Sequence, residues 1–503
     1  MNLAELLERI EYTCVHGSTD TEITGISRDN RKAQAGDLFI CTAGARFDTH
    51  DAAVVEELIK KGVKAFIAEK ELTLPDEAVS DGQETPAVIL VKSTRAAGAC
   101  IYAAWYGHPA DQLITVGITG SKGKTTTTHM LADILRAGGH TVGTLGTNGA
   151  IINGEVHELS NTTPESEEVQ RYLKEMVDSG CDAAVIEVSS QGMKQHRVDG
   201  FTFDYGIWMN IQEGDHVGPN EHETFEDYIY CKAQLSNHAK KAFIHQDDPF
   251  VSQLMQYVEN TNIVWFGGTE QADYRADRIE KTFDEASGQP GISFRVSGKI
   301  TADMWINFPG DFNVWNALAA IAVTDCIGVS AEDMKEALSD VHIKGRDDIV
   351  YKGPKFSVCV DFAHNGASTW HHLQALREFR PKRLVCVFGA DGNRSKGRRY
   401  GMGEAAGKLA DFSIVTSGHN RWETFDQILE DTKVGLHKAE HPNYIAIENR
   451  REAIRYAIEN AEEGDLITII GLGHETWQEI MGVKYEHSDT EFVKQVLREN
   501  GLL

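Results

Sequence analysis

No apolar run in the chain approaches the ~20 residues that a membrane helix needs. There is no Cys-x-x-Cys pair among the eight scattered cysteines, so reduced thiols in a cytoplasmic protein are expected. Positive charge is scarce: 49 Lys and Arg stand against 76 Asp and Glu, a net charge of −27. That balance argues against a nucleic-acid partner, which wants a basic face. It also repels anionic substrates over long range, so any nucleotide site must concentrate Lys and Arg locally. Repeats and low-complexity tracts are missing. So is the Asn-Lys-x-Asp motif that a guanine-nucleotide switch would carry. The first residues, MNLAELLERIEY, read as an acidic amphipathic helix and not as a signal peptide.

Residues 115–128, TVGITGSKGKTTTT, are the most informative stretch. A β-branched run from Ile114 to Ile118 enters a Gly-rich turn, Gly120-Ser121-Lys122-Gly123-Lys124-Thr125-Thr126. A helix-compatible segment, HMLADILRAGG, follows. Strand, Gly-rich loop and helix make a phosphate cradle: glycines turn backbone N–H groups toward the anion, and the helix N-terminus adds its dipole. Lys124 would reach the β/γ-phosphates and Thr125 would offer a hydroxyl to Mg²⁺. The strict pattern wants Gly where this chain has Ile118, so the loop is a shortened variant. The bland alternative is a tight glycine turn with an incidental lysine.

Around this loop the 503 residues suggest roughly three domains. Residues 1–109 alternate short strands (DLFICTAG, KAFIAEK, AVILVK) with helices, up to a stop at Tyr106-Gly107-His108-Pro109. Residues 110–342 hold the loop and two apolar strands, AAVIEVSS and DYGIWMNI, as expected of a parallel sheet flanked by helices. VHIKGR marks the second boundary. In residues 343–503, four strand-like runs (FSVCVDFAH, RLVCVFGA, FSIVTSG, LITIIGLG) alternate with helices. That is a doubly wound α/β arrangement, whose ligands should sit beyond the strand carboxyl ends.

Further segments join the loop in order: Thr162-Thr163-Pro164, Glu187-Val188-Ser189-Ser190 with Gln195-His196-Arg197, and Asp215-His216 followed by EHETFEDYIYCKAQL. Then come PGDFNVWNA around Asn313 and Asn316, and Gly345-Arg346 with VDFAHNG. In this order they resemble the Mur ligases of peptidoglycan synthesis, in particular the tripeptide synthetases that add the third residue of the stem peptide. The resemblance covers nearly the whole chain. It implies three α/β domains: one binding the UDP-sugar, a central P-loop domain binding ATP, and a Rossmann-like domain binding the amino acid. It also implies a cytoplasmic monomer acting in cell-wall synthesis, and hence in cell shape and division.

Enzymes of that family convert a carboxylate to an acyl phosphate with ATP, and an amine then attacks. Two anions must meet, so cations must sit between them. The resemblance makes Glu187 and His216 Mg²⁺ ligands. Glu is a hard oxygen ligand suited to Mg²⁺, whereas a His judged by chemistry alone would be read as a capping or hydrogen-bonding residue. It makes Lys232 a lysine carbamylated by CO₂; read alone, this lysine would snorkel to solvent. Carbamylation needs the unprotonated amine. Thr162, Thr163, Ser189, Gln195 and Arg197 match positions that hold UDP-N-acetylmuramoyl-L-Ala-D-Glu. Read alone, Ser189 and Gln195 are ordinary loop residues. Asn30 stands where the family has Ser between Asp29 and Arg31. Asn313 and Asn316 match adenine-side residues, though helix entry would also explain them. Arg346, Asp361 and His364 match the ATP edge of the third domain.

The family's diaminopimelate branch frames its amino acid with Asp-Asn-Pro-Arg and Gly-Lys-Gly-His-Glu. Here Gly418, His419 and Asn420 replace the first three residues, and Arg421 remains. Gly471, His474 and Glu475 remain, and Leu472 replaces Lys. Arg394 keeps its counterpart. Arg394 and Arg421 could pair with the far carboxylate of meso-diaminopimelate, and Glu475 with its far ammonium. L-lysine is the main alternative. A regulatory or catalytically dead P-loop paralogue and a folate-type ligase are more distant ones.

Overall fold

The computed structural model describes residues 1–44, 47–76, 85–213, 217–218, 221–283, 290–308, 310–341, 343, 345 and 348–503. His216, Arg346 and His342 at the second expected boundary lie outside them. The chain divides into two compact units, Met1–Arg275 with Leu318–Met334, and Ala276–Ala317 with Lys335–Leu503. Among the described residues no helix is long and apolar enough to cross a membrane, and none of the eight cysteines is in a disulfide.

The first unit opens with a five-stranded sheet. Asp37–Ile40 and Ala65–Ala68 lie side by side and parallel, and all eight of their residues are buried. Side chains alternate across a strand, so each strand feeds two cores. Leu38, Ile40, Ala65 and Ile67 pack with Leu3, Leu6 and Ile101, while Phe39, Phe66 and Ala68 pack with Val55 and Leu58. The N-terminal helix is shorter than the sequence predicts, only Leu3–Leu6. Asn2 and Glu5 form its capping box, and the N–H groups of Leu3 and Ala4 bond to Thr21 and Thr19. One turn already buries Leu3, Leu6 and Leu7, so extending it would gain no further core.

The second sheet of this unit is mainly parallel. Val142–Gly146, Ala183–Glu187, Ile114–Thr119, Phe203–Trp208, Ala239–His245 and Ile263–Gly267 run in that spatial order. Gly149–Ile152 and Glu155–His157 extend one edge antiparallel. Ile118 pairs with Glu187 and Thr119 with Trp208. The carboxyl ends of three adjacent strands therefore meet around residues 119–123, where a parallel sheet presents its ligands.

In the second unit Pro290–Gly298 pairs antiparallel with Ala302–Ile306. A six-stranded sheet follows. Its parallel strands are ordered Phe356–Asp361, Asp465–Ile470, Arg383–Phe388, Phe412–Val415, Tyr444–Ala446, with Asp348–Lys352 antiparallel on the edge. All four apolar runs singled out in residues 343–503 are strands of this sheet. Helices alternate with them, giving the Rossmann-like arrangement expected.

Candidate functional site

The strand Ile114–Thr119 ends in the loop 120–123, and the helix Lys124–Ala137 begins at once. Gly123 adopts φ +86°, a left-handed conformation natural to glycine. No side chain caps the helix, so its first N–H groups remain for an anion. Gly120 is required by space: a β-carbon there would stand 2.9 Å from Cβ of Met209. Ser121 Oγ lies 2.8 Å from the Tyr228 hydroxyl. Asn210 braces Lys122, accepting from its N–H at 2.9 Å and donating to its carbonyl at 3.0 Å. Lys124 Nζ folds back to donate to the carbonyls of Gly120 and Ser121 at 2.8 and 3.4 Å. Thr126 is half-buried in the first turn.

Glu187 ends its strand 1% exposed, and four groups hold it. Thr125 Oγ1 donates to Oε2 at 3.0 Å and Thr147 Oγ1 to the same oxygen at 3.1 Å. The Thr147 N–H donates to Oε1 at 3.0 Å. Thr163 Oγ1 donates to the Glu187 carbonyl at 2.8 Å. The network runs on: Thr162 Oγ1 lies 3.3 Å from Thr147 Oγ1, and Ser189 N–H donates to Thr163 Oγ1 at 2.9 Å. Ser189 also caps the short helix Ser190–Lys194. Arg197 donates to the Thr163 carbonyl at 2.8 Å and to Gln195 Oε1 at 3.0 Å. One continuous set of contacts thus joins Thr125 to Arg197. Carboxylate and hydroxyl oxygens around Glu187 are a hard donor set of the kind Mg²⁺ takes.

Lys232 does not snorkel. It is 2% exposed in the helix Phe225–Asn237, with Nζ 4.8 Å from the centre of the Tyr228 ring. Asn30 is half-buried, and its carbonyl accepts from Lys61 at 2.7 Å. The Arg31 fork on Asp29 brings that carboxyl down to about 2.

In the second unit Asn313 and Asn316 are both buried, one helical turn apart in Phe312–Ile327. Asn316 donates to Asn313 Oδ1 at 2.9 Å. Asp361 ends its strand, and its Oδ1 accepts from the Ala363 N–H at 2.7 Å. His364 Nδ1 lies 3.0 Å from the Phe362 carbonyl. The loops after Arg383–Phe388, Phe412–Val415 and Asp465–Ile470 gather the amino-acid candidates. His419 Nδ1 accepts from the Glu479 N–H at 3.0 Å, which leaves the proton on Nε2 to donate to Glu475 at 2.7 Å. Arg421 donates to the Gly392 carbonyl at 2.8 Å and lies 3.3 Å from Asp391. Asn420 donates to Ser417 Oγ, while its Oδ1 is buried without a partner among the described residues. Gly418 and Gly471 pass close to the Gly389 carbonyl, and Arg394 is exposed.

Asn210, Thr147, Gly146 and Tyr228 escape sequence reasoning. Asn210 leaves a weak signal, a polar residue directly after the apolar strand DYGIWM.

Three family models match the chain in succession. They are the Mur ligase family catalytic domain over residues 22–106, the Mur ligase middle domain over 118–324, and the Mur ligase glutamate ligase domain over 345–473. A UDP-N-acetylmuramoyl-L-alanyl-D-glutamate–2,6-diaminopimelate ligase of Caldanaerobacter subterraneus subsp. tengcongensis is 36% identical, covering 99% of this chain and all of that protein. The ligase of the same name from Clostridium perfringens is 33% identical over 99% of both chains. A solved structure of a ligase with this name superposes with a TM-score of 0.71 at 25% identity, over 100% of this chain and 99% of that one. A folylpolyglutamate synthase from Thermotoga maritima shares the fold, with a TM-score of 0.57 at 16% identity, over 74% of this chain and 90% of that one. With three Mur ligase domains in succession and full-length relatives above 30% identity, the chain belongs to the Mur ligase family of ATP-dependent ligases.

Proposed function

We propose that the chain joins meso-diaminopimelate to UDP-N-acetylmuramoyl-L-Ala-D-Glu, forming ADP and phosphate, as the third-residue step of peptidoglycan synthesis. The observation that carries this reading is the contact network from Thr125 through Glu187 and Thr163 to Arg197. It ties the nucleotide loop to the residues assigned to the muramoyl dipeptide.

In the proposed reaction Lys124 exchanges its loop carbonyls for β/γ-phosphate oxygens, and Gly120, Ser121, Lys122, Gly123 and Thr126 offer backbone or hydroxyl groups to the same anion. Thr125, Glu187, His216 and a carbamate on Lys232 would hold Mg²⁺, which when bound supplies positive charge between the two reacting anions. Arg197, Gln195, Ser189, Thr163 and Thr162 hold the dipeptide so that its carboxylate faces the γ-phosphate. Its oxygen attacks phosphorus and ADP leaves. The amine of the incoming amino acid then attacks the acyl carbon, phosphate leaves with the carboxyl oxygen, and the amine proton is released. Asn30 serves the uridine end. Asn313, Asn316, Arg346, Asp361 and His364 serve ATP. Arg394, Gly418, His419, Asn420, Arg421, Gly471 and Glu475 frame the amino acid. The working unit is a cytoplasmic monomer of three domains, 1–109, 110–342 and 343–503.

Release of ADP tests this reading. Purified protein with ATP and Mg²⁺ is expected to release ADP only when both the UDP-muramoyl dipeptide and an amino acid are present. ADP release independent of the dipeptide would refute it.

A further inference from the structure

In the first unit, two guanidinium groups meet the Glu165 carboxylate, and a third reaches the Gln195 amide oxygen that Arg197 also bonds. Arg28 Nη1 lies 3.4 Å from Glu165 Oε2, and Arg197 Nη2 lies 2.7 Å from Glu165 Oε1. Gln195 Oε1 accepts from Arg197 at 3.0 Å and from Arg95 at 3.5 Å. Although the Arg95 side chain is exposed overall, partial desolvation of its guanidinium and then the like charge of Arg28 lower its pKa, with Glu165 opposing and Arg197 adding to the shift. Glu69 also acts on Arg95, but its carboxylate is bound to the N–H and hydroxyl of Thr94. Arg197 is 9% exposed, and its Nε is buried without an acceptor among the described residues. A buried donor left unmade is costly, so this one is poised for a ligand.

Glu165 is placed to give way. Its side chain is 39% exposed. It is the N-cap residue of the helix Ser166–Asp178, yet its carboxylate makes no cap bond. If displaced it can turn to solvent and still favour that helix N-terminus through charge.

We infer that Arg28 and Arg95 join Arg197 in a site for an oxyanion of the UDP-muramoyl-dipeptide, and that Glu165 is the internal carboxylate that fills this site until the substrate arrives. Paired arginine forks suit either a carboxylate or a phosphate. This inference rests on the ligase reading above, and it adds Arg28, Arg95 and Glu165 to the residues that reading uses.

Steady-state ligation by wild type, Arg28→Met, Arg95→Met and Glu165→Gln tests it, with thermal melts to confirm folding. Arg95 is exposed, so its removal leaves the core intact. Arg28→Met and Arg95→Met are each expected to raise KM for the UDP-muramoyl-dipeptide about tenfold, the loss of a charged hydrogen bond, with KM for ATP little changed. Glu165→Gln is expected to lower KM for the dipeptide substrate. Inhibition by UDP and by N-acetylmuramoyl-L-Ala-D-Glu identifies the anion: the fragment whose inhibition weakens in Arg95→Met carries it. If wild type ligates and both arginine variants keep its KM, the inference is overturned. It is equally overturned if Glu165→Gln raises KM. If wild type itself releases no ADP with the dipeptide, the ligase reading fails instead.

Discussion

Gly146 and Glu187 compete for one place: a β-carbon on Gly146 would stand 2.3 Å from Oε1 of Glu187. The two residues end adjacent parallel strands, and Glu187 leans across the end of its neighbour. The carboxylate keeps its three bonds to Thr125 and Thr147 only because residue 146 has no side chain.

Gly146→Ala should therefore displace the Glu187 carboxylate. We expect kcat to fall by about tenfold or more and the Mg²⁺ concentration for half-maximal rate to rise, as befits a shift of a site oxygen by about an ångström. Titration of Mg²⁺ in the ADP-release assay checks this, and an unchanged Mg²⁺ dependence would contradict it.

Lys124→Ala should leave the fold intact and lower kcat by ~10²-fold or more, the usual loss when a charge-stabilising contact is removed. Its Nζ donates to the carbonyls of Gly120 and Ser121 at 2.8 and 3.4 Å, within the loop itself. Circular dichroism and ADP release on the same preparation decide it. Near-wild-type turnover would contradict the assignment.

Lys232→Ala should be poorly active and partly restored by acetate or another short carboxylate, which would stand in for the proposed carbamate. The side chain is buried beside Tyr228, so a small anion has a cavity to enter. Activity that is restored equally by chloride would argue against a carboxylate-like role.

The second unit carries a pH-dependent element of stability. Asp489 and Arg450 are both fully buried and paired at 2.6 Å, with His487 2.8 Å from the same carboxylate. Burial alone would raise the Asp489 pKa, but the charge and hydrogen bonds of Arg450, with His487, outweigh it and hold the group well below the usual carboxylate range. A depressed folded pKa stabilises above the unfolded value, about 3.9, and the stabilisation is lost as pH falls below that toward the folded pKa. Asp489→Asn should cost about 3–5 kcal/mol at pH 7, since it leaves Arg450 as a buried unpaired charge. The gap from wild type should narrow in melts below pH 4, about the unfolded carboxylate value. A pH-independent gap would contradict this.

Much of this was legible in the sequence, and the reasons differ by residue. The strand Ile114–Thr119, the turn at Gly123 and the helix Lys124–Ala137 each carry a local signal, so the nucleotide loop could be read directly. The strands of the C-terminal sheet are short apolar runs between helices, and they too are local. The burial of Lys232 was not legible, because its own helix reads as one that would let a lysine reach water. Packing around Tyr228 decides otherwise. Thr147 and Glu187 are 40 residues apart, Asn210 and Lys122 88, and Arg28 and Glu165 137. No periodicity or propensity within a window of the chain encodes such meetings. The His419–Glu475 bond, spanning 56 residues, is of the same kind.

Amino-acid choice decides between the proposed reaction and its lysine counterpart. The measurement is kcat/KM for meso-diaminopimelate and for L-lysine, in wild type and in Arg421→Ala. Arg421 has a bond to the Gly392 carbonyl and a 3.3 Å approach to Asp391, which fix its guanidinium. Wild type should favour meso-diaminopimelate by about a hundredfold or more, because its second carboxylate can accept from an arginine fork and L-lysine has no such group. Arg421→Ala should lose most of that preference. A wild type that favours L-lysine, or a preference untouched in Arg421→Ala, would contradict the assignment.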